Sequence, residues 1–96
     1  MRAKFMVERT YLLPSRSLFV LEGAITEGTV CTGMNVLIGF NRSCSMACAI
    51  EGVEFVRSDN DEKVALTVRY EEADEGEFLQ SFNLIKEEVI VSNDNV

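Results

Sequence analysis

Apolar and polar residues alternate along most of this chain with a period of two, the spacing of a half-buried strand. The pattern is densest over residues 18–38. There Phe19, Leu21, Ile25, Val30, Val36 and Ile38 hold the apolar positions, and Gly23, Gly28 and Gly33 recur at equal intervals. This stretch predicts a strand over 18–24, a short hairpin over 25–30 with Thr26-Glu27-Gly28-Thr29 at its tip, and a strand over 35–40. Gly28 is the residue expected at positive φ. Gly33 opens the next turn with Asn35 beside it, and Met34 points inward.

The flanks read the same way. Residues 3–13 form a first strand with Phe5 and Val7 on one face, ending at Pro14-Ser15-Arg16-Ser17, a proline and serine turn. Residues 46–56 alternate until Gly52, where the phase changes; a glycine at a phase change predicts a bulge, after which Val53 and Phe55 carry the apolar face. Residues 57–62, RSDNDE, are the clearest turn signal. Residues 63–70 then place Val64, Leu66, Val68 and Tyr70 on one face and Ala65, Thr67 and Arg69 on the other. The acidic run 71–77 allows a single helical turn ended by Gly76, and 78–82 reads as a short strand or a helical turn. A last strand covers 87–92. Short strands divided by turns every eight to twelve residues predict an all-β fold, a small closed or nearly closed antiparallel barrel. One domain covers 1–92, and 93–96 is a polar tail.

Composition narrows the function. The chain has 96 residues, enough for one modest core. No apolar run approaches the ~20 residues of a membrane helix, and residues 1–22 carry no signal-peptide pattern, so the expected location is cytoplasmic. The net charge of −7 is unevenly placed: the first half has five bases and three acids, the second four bases and thirteen acids. A field of that sign repels phosphate backbones, although a local basic patch in the first half is compatible with it. Cys31, Cys44 and Cys48 are odd in number and read as reduced thiols. Cys44 and Cys48 would lie roughly 13 Å apart on a strand, too far to share a metal, and there is no histidine to complete a zinc shell.

With the strands in place, the spacing of Gly23, Ile25, Gly28, Val30, Gly33, Val36 and Ile38 resembles the translation-factor β-barrel, the second domain of elongation factors such as EF-Tu. Residues 50–55, then Val64-Ala65-Leu66-Thr67-Val68 followed by an acidic stretch, Gly76 and Phe78-Leu79, resemble its later strands more loosely. The family has a glycine after its penultimate strand where this chain has Tyr70. The resemblance implies a translation-protein barrel and, by the family's habits, contacts with a GTPase domain, the ribosome or tRNA. No G-x-x-x-x-G-K-[ST] segment is present, so GTP hydrolysis is not expected of this chain. The shared positions are structural glycines and core residues, which carry no site with them.

No nucleophile and base pair is evident: histidine is absent, and adjacent carboxylates on a strand point to opposite faces. The 57–62 loop lacks the frame of a calcium loop. The expectation is therefore a non-enzymatic, stand-alone barrel without cofactor or metal that binds another protein. Its candidate contacts are Phe40, Asn41 and Arg42 in the loop over 39–45, with Arg9 and Arg16 as basic neighbours. The alternative is a ribosome- or RNA-associated accessory module, and any unpaired edge leaves a homo-oligomer open.

Overall fold

The strand pattern closes on itself. The computed structural model describes residues 2–39, 45–58 and 61–93. Its strands are β1 (Arg2–Leu13), β2 (Leu18–Glu27), β3 (Asn35–Gly39), β4 (Ser45–Ser58), β5 (Asp61–Arg69) and β6 (Glu88–Ser92), with one helix, α1 (Ala73–Gln80). Every pairing is antiparallel. The order β1-β2-β5-β4-β3-β6 returns from β6 to β1, giving a closed barrel, as the strand pattern predicts.

Alternation explains the core. Phe5 and Val7, Phe19 and Leu21, Val36 and Ile38, Val64, Leu66 and Val68, and Val89 and Val91 all turn inward and are buried together. Parts of the outer face are buried as well. Tyr11, Val20, Thr67 and Gly52 form one cross-strand row over β1, β2, β5 and β4, and Val20, Ala65 and Thr67 are almost fully covered. Small residues in the middle of a coiled sheet are shielded by their larger neighbours.

Several local expectations change. The 25–30 hairpin does not form: β2 continues to Glu27, and β3 pairs with β4 and β6, never with β2. Residues 28–34 instead carry the chain across to the far side of the sheet and bury Val30 and Met34 in the core. Gly28 and Gly33 do take positive φ, at 78° and 91°, so the turns were legible although their partners were not. Gly76 does not end a helical turn. It sits within α1, where a Cβ would lie 2.7 Å from the Tyr70 ring, and its hydrogen lets that ring pack flat against the helix. Phe55 is 69% exposed, outside the core expected to hold it. The strands also run through much of the 57–62 turn.

Three register shifts break the ladders, one of them at Gly52 as the phase change predicts. The residue left over at each is Glu8 on β1, Thr26 on β2 and Glu51 on β4. Each reaches another element: Glu8 bonds Lys63, the Thr26 hydroxyl donates to Glu88 at 2.9 Å, and Glu51 accepts from Arg69. A bulge re-aims a side chain, and here each bulge turns a polar group toward a partner.

At the Glu8 bulge the backbones of β1 and β2 nearly touch. A Cβ on Gly23 would lie 1.9 Å from the Met6 carbonyl oxygen. Gly23→Ala is expected to lower unfolding free energy by more than about 2 kcal/mol in urea titration, because the clash is with backbone. Among the described residues nothing lies within 4 Å of a Cβ on Gly39, and Gly39→Ala should stay within about 0.5 kcal/mol.

Candidate functional site

Two depressions lie side by side where β5 gives way to α1. The first is an apolar groove of about 370 Å³ between β4 and α1, walled by Met46, Cys48, Tyr70, Phe78 and Leu79. It exists because α1 packs against β1 and β2, which leaves its other flank standing away from β4. Tyr70, Leu79 and Leu84 are buried and close the barrel beneath it. Phe78 stays 49% exposed, held by an edge-to-face contact with Phe82 at 5.0 Å between centroids.

The second depression, about 590 Å³, is polar and lies on the outer face of β1, β2, β5 and β4. Tyr11, Leu13 and Arg16 border one side, Glu54 and Val56 the other, and Thr67 and Ala65 form its floor. Glu51 and Arg69 line both depressions and separate them. The Arg69 Nε donates to both Glu51 oxygens, at 3.1 and 2.9 Å. That bond, with the attraction of Arg69 and of Arg16, holds the Glu51 carboxyl below its ordinary value against a smaller opposing effect of burial. The pair is therefore intact at neutral pH and is lost as pH falls through the lowered Glu51 pKa.

The residues singled out from the sequence divide into two groups. Arg9 and Arg16 come to the same outer face, on either side of Tyr11 and Leu13. Arg9 is committed to Glu22, with Nε to Oε1 at 3.0 Å and a second bond at 3.2 Å, and it lies 5.2 Å over the Tyr11 ring. Arg16 lines the polar depression. Phe40, Asn41 and Arg42 lie outside the described residues, as does Cys44. The apolar groove was not anticipated. Its only advance signal was the apolar pair Phe78-Leu79 following an acidic run, read as a short strand or a helical turn.

The groove offers little chemistry beyond binding. Burial pushes the Cys48 thiol up to about 11, so it is a neutral lining group at physiological pH. Among the described residues no cluster of His, Cys, Asp or Glu is arranged to hold a metal ion, and no helix is long and apolar enough to cross a membrane. Compared with known protein families, curated proteins and solved structures, the chain matches none.

In mildly alkaline buffer iodoacetamide should alkylate the exposed Cys31 well before Cys48, read by peptide mass spectrometry. Equal rates would mean that the groove is open to water as far as the thiol. In Arg69→Met, the Glu51 carboxyl resonance should titrate at higher pH than in the wild type.

Proposed function

We propose that this protein is a non-enzymatic binding barrel whose partner is another protein, docked in the apolar groove between β4 and α1. The observation that carries this reading is the groove itself: an apolar concavity with a half-exposed aromatic, Phe78, in its wall and a fixed ion pair on its rim. Sites that take up a partner's side chain have this composition, an apolar floor with few polar groups at the margin. The thiol is protonated, Tyr70 is buried and the Glu51 carboxylate is already paired, so the groove's polar groups favour binding over reaction.

Charge specifies the partner further. Glu75 lies in the groove, and Glu71, Glu72, Asp74 and Glu77 surround it on α1 and its approach, with no base among residues 71–77. A partner segment that carries an apolar anchor flanked by lysine or arginine is complementary to this surface. The same electrostatics favour protein over RNA, since Arg9, Lys63 and Arg69 are each held by a carboxylate. The kinship with the translation-factor barrel rests on the glycine spacing alone, without the 25–30 hairpin of that pattern, and it would supply a scaffold and no site.

The test is crosslinking from native lysate followed by mass spectrometry, with wild type, Phe78→Ser and Phe55→Ser run in parallel. A protein should be captured by the wild type and by Phe55→Ser, and reduced at least about tenfold by Phe78→Ser, the scale of losing one aromatic anchor. Its crosslinked segment should combine apolar and basic residues. Equal capture by Phe78→Ser, or recovery of RNA or of a second copy of the chain in the groove, would reject this reading. Thermal unfolding of each variant separates lost binding from lost structure.

A further inference from the structure

The fourteen residues of β4 divide their partners. Residues 45–49 pair with β3, and residues 50–58 pair with β5. The ladder with β5 starts at Ile50 opposite Val68, and after Arg69 the chain leaves for Tyr70 and α1. Among the described residues, Ala47 and Ala49 therefore have a strand on one flank only.

The direction of their polar groups follows from a neighbour. The Ile50 N–H donates to the Met34 oxygen at 2.8 Å, and the Ile50 oxygen accepts from the Gly33 N–H at 3.1 Å. Both groups of Ile50 face the β3 side. Along an antiparallel strand these groups alternate sides, so Ala47 and Ala49 turn theirs the other way, where β5 would continue. Among the described residues no strand is there to receive them. What lies there instead is the apolar groove, with Ala47 and Ala49 on one bank and Glu75, Phe78 and Leu79 on the other.

Resting on the reading of this groove as the partner site, we propose that the partner enters as an extended segment and adds a strand to β4. Its backbone bonds the N–H and C=O groups of Ala47 and Ala49, and an apolar side chain fills the space beside Phe78. A strand edge with an apolar trench beside it is the arrangement that recognises extended peptides: the edge supplies main-chain bonds and the trench selects side chains. Two alanines leave the edge uncluttered. The helix standing opposite limits the occupant to a lone segment, because the edge of a second barrel would have to displace α1. Glu75 in the groove, within a chain of net charge −7, calls for a basic segment and disfavours another copy of this chain.

The probes are blocked hexapeptides: one alternating lysine and valine, one alternating glutamate and valine, and a lysine–valine peptide N-methylated at alternate residues. Binding is followed by amide NMR on the full chain. With the lysine–valine peptide at saturation, exchange of the Ala47 and Ala49 amides should slow at least about tenfold. N-methylation, which removes main-chain donors and keeps the side chains, should weaken binding at least about tenfold, the scale of two hydrogen bonds. The glutamate peptide should bind more weakly than the lysine peptide. Absence of protection at Ala47 and Ala49, or equal binding by the N-methylated peptide, overturns strand addition.

Ala47→Pro removes one edge donor where an edge strand tolerates proline. Should it fail to fold, the peptide series alone decides the matter. If the captured partner depends on Phe78 yet ignores a correctly folded Ala47→Pro, the groove stands as the partner site and strand addition falls. If it ignores Phe78 as well, the groove reading itself has failed.

Discussion

The approach of β1 to β2 at Gly23 is the constraint on which the rest of the barrel depends. A side chain there would penetrate the Met6 carbonyl, so the two backbones meet only because glycine has none. This contact sits beside the Glu8 bulge, where β1 gains a residue on β2 and the sheet coils more tightly. Six strands need that curvature to bring β6 back to β1. Once closed, the barrel has few edges left to protect, and its short unpaired stretches become the informative parts of the surface.

The bulges also organise the surface charge. Glu8, Thr26 and Glu51 are the extra residues of three register shifts, and each meets a polar group on a different element. Such exposed contacts contribute little stability individually. Their effect is positional. The Glu51–Arg69 pair stands between the apolar groove and the polar depression, so one irregularity in β4 sets the boundary between two surfaces of different chemistry.

Closure of the barrel end determines where the apolar groove lies. Tyr70 follows β5 directly, and its ring lies flat on α1 because Gly76 offers no Cβ. The helix is thereby drawn over the core toward β1 and β2. Its far flank and the flank of β4 that β5 leaves open then face each other across the groove. Groove and core packing are two sides of one arrangement: the same eight-residue helix covers the core with Leu79 and exposes Phe78 beside the groove.

Alternation made the strands, the all-β class and the inward residues legible, because the side-chain period of a strand is a local property. Gly28, Gly33 and the Gly52 bulge were legible for the same reason: backbone geometry at a turn or a phase change is decided by adjacent residues. The pairing of β3 with β6 instead of β2 was not, since it joins residues far apart in sequence and depends on how the whole sheet closes. Phe55 illustrates the limit. Its place in the alternation directs it to the core side of β4, opposite buried Val64, yet it stays 69% exposed. The groove was hidden for a related reason. Ala47, Ala49, Tyr70 and Phe78 carry no motif between them, and only the departure of β5 from β4 and the lean of α1 bring them together.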